Sequence, residues 1–151
     1  MIKIIEGDLL TATEDIIGHQ TNTKGVWGSG IAKAIKDKYP NAYPTYQLMC
    51  HEYGDKLLGQ CWTIKASENK VIANIFGQTA YGRNKNLVYT NYSALKSALE
   101  SLKIRAKKFG HSVALPFNIG CGLANGDWKI VYGIIEEVFS DYGVTLYRWE
   151  P

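Results

Sequence analysis

Two glycine-rich segments are the residues of this chain best suited to ligand chemistry. They occupy residues 25–30 (GVWGSG) and residues 120–122 (GCG). Each follows an apolar run and leads into a stretch with helical periodicity. Glycine lets backbone N–H groups approach a ligand with no side chain between them, and a helix N-terminus adds partial positive charge. At one edge of a sheet, the two segments would clamp a diphosphate, which predicts a nucleotide-type ligand.

Four polar side chains near these segments could contribute chemistry. His19 lies inside an apolar strand, where it is either a core residue or an acid–base catalyst. Asn22, just after that strand, is either a sugar-binding amide or a turn residue. Asp8, after the first strand, is either an acceptor for the exocyclic amine of a base or an ordinary turn or cap residue. Cys121 could be a nucleophile with His19 as its base, although its small size is enough to explain its place between two glycines.

Hydrophobic periodicity predicts six strands and four helices along the chain. Apolar runs give strands at 2–5, 15–20, 61–65, 71–76, 112–116 and 144–149, and the third and fourth would form a hairpin. Helical spacing gives helices at 30–39, 42–53, 89–109 and 128–139, the last capped by Asp127. Strands that alternate with helices predict a layered α/β fold with a mixed sheet. Ligands of such folds bind at the carboxyl ends of the strands.

Composition narrows the class of protein. The chain has 151 residues and a net charge of +3, which suits an anionic small molecule without indicating nucleic acid. The basic stretch at 103–108 predicts a solvated helix face, with an RNA or phosphate contact as the alternative. The cysteines Cys50, Cys61 and Cys121 include no CxxC pair, so we expect a reducing compartment and no structural zinc. With no signal peptide or apolar span, the sequence predicts a cytoplasmic protein without membrane contact.

Familiar phosphate-binding motifs are incomplete or missing. Gly28 and Gly30 match the first two glycines of GxGxxG, but no acidic residue follows a second strand in the usual place. The chain has no GxxxxGK[ST] sequence. These observations argue against a dinucleotide-dependent dehydrogenase and against a P-loop kinase or ATPase.

The ordered set of motifs resembles a macro domain. It consists of Gly7-Asp8-Leu9, Asn22, Gly28-Ser29-Gly30-Ile31-Ala32 and the segment PFNIGCGL at 116–123. The similarity is greatest to the branch that contains the ADP-ribose-1''-phosphate phosphatases and the terminal ADP-ribose glycohydrolases. The resemblance implies one macro domain over residues 1–151, with a three-layer α/β/α fold and a central mixed sheet of about six strands. It implies ADP-ribose or a derivative as ligand, with no metal or other cofactor.

The same resemblance implies a role for each matching residue. Asp8 would accept a hydrogen bond from the adenine amine with Leu9 beside it, and Asn22 would lie by the distal ribose. His19 occupies the place of a histidine implicated in catalysis in the phosphatase branch. The diphosphate would lie between the backbone of Gly28, Ser29, Gly30 and Ile31 and that of Ile119, Gly120, Cys121, Gly122 and Leu123.

This chain departs from the glycohydrolase branch at two positions. That branch has a lysine just after the central strand and an aspartate just after GCGL, whereas here the strand runs into Phe76-Gly77-Gln78 and Ala124 follows Leu123. The leading hypothesis, based on the match at His19, is a hydrolase that removes a substituent, foremost the 1''-phosphate, from the distal ribose. A non-catalytic reader of ADP-ribose or ADP-ribosylated protein is the second hypothesis, and the missing lysine and aspartate favour it. An RNA-binding domain that uses residues 103–108 is the third hypothesis, with Tyr81, Arg83 and Lys85 in contact with a nucleotide. Those three residues could equally cover the distal pocket of a macro domain.

Overall fold

A six-stranded mixed sheet forms the middle of the structure, a computed structural model that describes residues 1–149. Residues 150 and 151 of the expected domain lie outside the described residues. The strands are β1 (Ile2–Glu6), β2 (Ile16–Gln20), β3 (Cys61–Ser67), β4 (Lys70–Ile75), β5 (Val113–Pro116) and β6 (Val144–Arg148). The helices are α1 (Gly30–Lys38), α2 (Ala42–Tyr53), α3 (Tyr92–Phe109) and α4 (Trp128–Val138), with short 3₁₀ turns at Leu9–Thr11 and Gly54–Leu57.

The strand order is β1-β6-β5-β2-β4-β3, which makes β2 a central strand. Ile17 of β2 pairs in parallel with Ile72 of β4 and Ala114 of β5. Among the strands described, only β3 and β4 pair in antiparallel fashion, and they form the predicted hairpin. The carboxyl ends of the five mutually parallel strands β1, β6, β5, β2 and β4 therefore meet at one edge of the sheet, where binding sites of such folds lie. The predicted α/β fold with a mixed sheet is confirmed.

Helices cover both faces of the sheet and give three layers. On one face, α3 and α4 bury Leu99, Leu102 and Ile135 against the sheet. On the other face, α1 and α2 bury Ile35 and Tyr46. Successive side chains of a strand point to opposite faces, so one strand serves both cores. Within residues 1–149, no helix is both long and apolar enough to cross a membrane.

The structure corrects two details of the helices. Helix α3 begins at Tyr92 rather than at residue 89, because the Asn91 side chain caps it by accepting a hydrogen bond from Ala94 N. Apolar spacing in α4 predicts that Ile130 faces inward, but Ile130 is 45% exposed, and Val131, Ile135 and Val138 fill the core instead. The predicted cap at Asp127 is confirmed, since its carboxylate accepts a hydrogen bond from Lys129 N at 3.0 Å.

Candidate functional site

A single cleft at the carboxyl edge of the sheet contains parts of both glycine segments. Its volume is about 590 Å³, within the range of small-molecule sites. Apart from His19 and Asn22, the predicted site residues that line it are Gly28, Ser29, Gly30 and Ile31 from the first segment and Ile119, Gly120, Gly122 and Leu123 from the second. The two segments follow the neighbouring strands β2 and β5, which explains why they face one another.

The buried side chain of Asn22 holds the first segment in shape. Its Oδ1 accepts hydrogen bonds from Lys24 N at 3.0 Å and from the Tyr46 hydroxyl at 2.9 Å. Its Nδ2 donates to Val26 O at 2.8 Å. Asn22 thus behaves as a turn residue, as one of its two sequence interpretations predicted. It also lines the cleft.

Trp27 anchors the middle of the first segment in the core. Its side chain is fully buried and stacks on Tyr46 with 4.5 Å between ring centroids. Its indole N–H donates to Thr21 Oγ1 at 2.9 Å. These contacts fix the position of the backbone at the glycines on either side of Trp27.

The first turn of α1 presents backbone amides to the cleft. The helix begins at Gly30, whose φ of +61° is a left-handed conformation that favours glycine. Ser29 is the N-cap residue, and its side chain makes no capping hydrogen bond. The first N–H groups of a helix have no intrahelical acceptor. Because Gly30, Ile31 and Ala32 all line the cleft, these amides can bind an anion there.

The second segment folds back on itself through close backbone contacts. Asn118 and Gly120 adopt φ values of 68° and 74°. The Gly126 N–H donates to Gly120 O at 2.9 Å, and a Cβ atom at Gly126 would lie only 2.4 Å from that oxygen. Glycine is therefore required at 126 if the segment is to keep this conformation. The fold-back turns the backbone around Gly120 and Gly122 toward the cleft.

His19 lies at the base of the cleft as a buried, neutral imidazole. The side chain is 2% exposed, and its Nε2 is 3.1 Å from Asn74 Oδ1. The ring meets Trp27 edge to face, with 5.1 Å between centroids. Burial lowers the pKa of His19 to about 4, although the hydrogen bond to Asn74 opposes the shift. Its Nδ1 is buried and has no partner among residues 1–149, so it can accept a proton or a hydrogen bond.

Three predicted ligand-binding residues lie outside the cleft lining. Asp8 caps the short turn at Leu9–Thr11, with its Oδ1 accepting from Leu10 N at 3.0 Å, and Leu9 is 2% exposed. Cys121 packs against the core beneath α3 and α4. Burial, followed by the charge of Asp127, raises the pKa of the Cys121 thiol to about 11. The thiol is therefore protonated at neutral pH, which does not favour the nucleophile alternative.

An amide network that sequence reasoning missed connects three loops at the cleft. Gln20 Nε2 donates to Gln78 Oε1 and to Thr90 Oγ1, both at 2.9 Å. Thr90 Oγ1 in turn donates to Gly120 O at 2.6 Å. A Cβ atom at Gly77 or Gly120 would lie 2.4 Å or 2.9 Å from Gln20 Oε1, so both glycines make room for this side chain. The only sequence signal was the pair of glycines, which does not identify the distant glutamine.

Residues 79–90, which we call the mouth segment, border the opening of the cleft. Tyr81, Gly82 and Arg83 line the cleft. Asn125, beside the second glycine segment, donates from its Nδ2 to Asn84 O at 3.0 Å and to Leu87 O at 2.8 Å. The mouth segment is thereby attached to the second glycine segment.

The groups that the cleft presents are suited to a phosphorylated ligand. They include backbone amides, amide side chains and the guanidinium of Arg83. Within residues 1–149, no three His, Cys, Asp or Glu side chains are grouped so as to hold a metal ion. The fold and the cleft together define an α/β/α domain that can bind a diphosphate through backbone N–H groups at the carboxyl edge of its sheet.

Comparison with known proteins identifies the family. The family model described as Macro domain matches residues 19–135. The ADP-ribose 1''-phosphate phosphatase of Debaryomyces hansenii is 30% identical, and that of Saccharomyces cerevisiae is 28% identical, each over 97% of this chain and 98% of the relative. The macrodomain of Mycobacterium tuberculosis DarG has a TM-score of 0.84 at 24% identity, with 97% of both chains covered. The chain therefore belongs to the macro domain family.

Proposed function

We propose that this protein binds ADP-ribose derivatives in the cleft and hydrolyses the phosphate ester of ADP-ribose 1''-phosphate. The observation that carries the proposal is the meeting of both glycine segments in one cleft of about 590 Å³. Full-length similarity to proteins named ADP-ribose 1''-phosphate phosphatase supports this choice of substrate. We also propose that residues 1–151 form a single macro domain.

The order of the strands supports one orientation of the ligand. Along the carboxyl edge, Asp8 follows β1, the second glycine segment follows β5, the first follows β2, and the mouth segment follows β4. A diphosphate held between the two glycine segments would direct adenine toward β1 and the distal ribose toward β4. Asp8 has acceptor capacity beyond its bond to Leu10 N, so it can still accept from an adenine amine. Leu9 would lie beside the base and Asn22 beside the distal ribose.

In the proposed reaction, His19 acts as the general base. Water attacks phosphorus and gives a proton to the neutral imidazole, the bond from phosphorus to the 1''-oxygen breaks, and the proton passes to that oxygen. The products are inorganic phosphate and ADP-ribose. The partnerless Nδ1 is the acceptor that we assign. Trp27 contacts the ring edge to face, so the attacking water must reach Nδ1 from the cleft.

The experiment that tests this function measures phosphate release from ADP-ribose 1''-phosphate and calorimetric binding of ADP-ribose. We expect the wild-type protein to release phosphate, and we expect His19→Ala to abolish release while ADP-ribose still binds. His19→Gln is the second variant, because it fills more of the space beside Trp27. Unchanged turnover in both variants would remove His19 from the mechanism. Binding of ADP-ribose by the wild type without release would contradict hydrolysis of this ester.

A non-catalytic reader of ADP-ribose or ADP-ribosylated protein is the second candidate function. The deep burial of His19 favours it, as does the presence of Gln78 and Ala124 instead of the lysine and aspartate of the glycohydrolase branch. The same pair of assays separates the two functions. Binding of several derivatives with no turnover on any of them would favour the reader.

We do not propose nucleic acid or a membrane as partner. Lys103 and Lys107, in the basic stretch of α3, both pair with Asp141, at 3.0 Å and 2.9 Å. That face is thus partly neutralised, which weakens the case for an RNA surface. All three cysteines are free, which supports our proposal of a cytoplasmic location.

A further inference from the structure

Arg83 is the one charged side chain among the described residues that line the cleft. It is exposed, and within residues 1–149 its guanidinium has no hydrogen bond, ion pair or ring contact. The two lysines that flank the first glycine segment in sequence are instead paired with carboxylates: Lys24 with Asp55 at 2.9 Å and Lys33 with Asp37 at 2.8 Å. The cleft therefore has an unneutralised positive charge at its mouth, ready to bind an anion.

The backbone that carries Arg83 is held in place on both sides. Before it, a Cβ atom at Gly82 would lie 2.4 Å from the Tyr89 hydroxyl oxygen, so the chain passes close to that ring. After it, Asn84 N donates to the same hydroxyl at 3.3 Å, and Asn84 O accepts from Asn125 Nδ2 at 3.0 Å. Arg83 therefore projects from backbone that is held on both sides, which limits the backbone entropy lost when the residue binds a ligand.

The position of Arg83 along the sheet edge indicates which part of a ligand it meets. The mouth segment follows β4, whereas Asp8 follows β1, and three strands lie between β1 and β4. In the orientation proposed above, the diphosphate lies between these ends, and the distal ribose projects toward the mouth segment. An anionic group on that ribose would come within reach of the guanidinium. The diphosphate itself would be bound by backbone amides nearer the centre of the sheet.

We propose that Arg83 binds the phosphate on the distal ribose and makes the cleft select phosphorylated over unsubstituted ADP-ribose. This inference rests on the proposed function for the orientation of the ligand. A guanidinium can donate two parallel hydrogen bonds to phosphate oxygens, which suits this residue type to a terminal phosphate monoester. Because the side chain is exposed, the preference should weaken as ionic strength rises.

The test compares wild type, Arg83→Gln, Arg83→Lys and the matched control Lys85→Gln. Lys85 is also exposed and lies two residues away, outside the cleft lining. Affinity for ADP-ribose is measured by calorimetry. Affinity for ADP-ribose 1''-phosphate is taken from KM where phosphate is released and from calorimetry where it is not. We expect Arg83→Gln to weaken the phosphorylated ligand about tenfold and ADP-ribose less than about twofold.

Arg83→Lys keeps the charge but loses the paired donors of the guanidinium, so it should retain only part of the preference. Lys85→Gln should change the affinity for neither ligand by more than about twofold. Equal losses for both ligands in Arg83→Gln, or no loss for either, would overturn the inference. Loss of preference in a protein that releases no phosphate would sustain the role of Arg83 and refute the hydrolase. Normal phosphate release with an unchanged KM in Arg83→Gln would sustain the hydrolase and refute the role of Arg83. If neither ligand binds the wild type, both proposals are wrong.

Discussion

The two edges of the sheet differ in how fully their polar groups are paired. At the amino edge, Asp15 and Ser112 cap each other: Asp15 N donates to Ser112 Oγ at 2.9 Å, and Ser112 N donates to Asp15 Oδ2 at 2.9 Å. At the carboxyl edge, His19 Nδ1, Gln20 Oε1 and Asn74 Nδ2 are buried without a partner among residues 1–149. We call these the closed edge and the open edge.

Most of the buried polar side-chain atoms without a partner among residues 1–149 lie at the open edge, beside the cleft. A buried donor or acceptor without a partner costs free energy, and such groups are few in native proteins. Three of the four such side-chain atoms among residues 1–149 lie at the open edge, and the fourth, His111 Nδ1, is close to the start of β5. At the closed edge, Asp15 and Ser112 link the starts of β2 and β5 by hydrogen bonds. At the open edge, unpaired polar groups remain beside the cleft.

The largest expected effect is a loss of stability in acid that originates at the open edge. His19 has a folded-state pKa of about 4, below its ordinary value of 6.5. Between these two pH values the unfolded chain binds a proton that the native protein does not. The free energy of unfolding should therefore fall as the pH decreases from 6.5 to 4, by at most about 3 kcal/mol.

Urea unfolding of wild type and His19→Gln across this pH range measures that effect. The wild-type free energy of unfolding should decrease more steeply in acid than that of His19→Gln, because the variant has no titrating group at this position. Parallel pH dependences would contradict the assignment of a buried neutral imidazole.

The next largest effect is expected from Gly126→Ala at the second glycine segment. The new Cβ would lie 2.4 Å from Gly120 O, so the backbone must move and the cleft amides with it. We expect ADP-ribose to bind about thirtyfold more weakly, about 2 kcal/mol by calorimetry. Gly133→Ala is the control, since nothing lies within 4 Å of its Cβ position in α4. It should raise stability by roughly 0.5 kcal/mol and leave affinity unchanged. Equal affinities in the two variants would refute the role of the fold-back.

The smallest effect is expected at the closed edge, from Ser112→Ala. The variant loses the hydroxyl that accepts from Asp15 N at 2.9 Å and donates to Asp15 Oδ2 at 3.1 Å. Stability should fall by about 1 kcal/mol, with ADP-ribose affinity unchanged. Weaker ADP-ribose binding in this variant would show that the two edges are not independent.

Ser112→Ala should also change how the free energy of unfolding depends on pH in acid. Backbone and side-chain hydrogen bonds from Ser112 hold the pKa of Asp15 below its ordinary value of 3.8. The stability that this shift contributes is present above pH 3.8 and is lost as the pH falls through the folded-state pKa. Ser112→Ala should reduce that loss in acid unfolding curves. An unchanged loss of stability in acid would indicate that groups other than the Ser112 hydroxyl lower the pKa of Asp15.

Features that depend on neighbours in sequence were predictable. Helix α2 has the predicted bounds 42–53, α1 begins at Gly30 as predicted, and Asp127 caps α4. Apolar spacing and capping residues determine such features locally. The presence of both glycine segments at the carboxyl edge also followed from the α/β rule, because each comes directly after a strand.

Features that depend on contacts between distant residues were not predictable from one sequence. The bond from Gln20 to Thr90 joins residues 70 positions apart, and no local pattern marks either of them. The N-terminal limit of α3 depends on hydrogen bonds from Tyr89 N to Ala124 O and from Asn91 N to Gly77 O. The burial of His19 was one of two interpretations, and its pKa is lowered by that burial against the opposing hydrogen bond of Asn74 from the neighbouring strand β4.

The central claim is that two glycine segments bind one diphosphate from opposite sides of one cleft. Titration of ¹⁵N-labelled protein with ADP-ribose, followed by amide chemical shifts, tests this claim most directly. We predict shifts in residues 28–31 and in residues 119–123 with the same dissociation constant, while the amides of Asp15 and Ser112 at the closed edge do not move. Shifts confined to one glycine segment, or no shifts in either, would contradict the account.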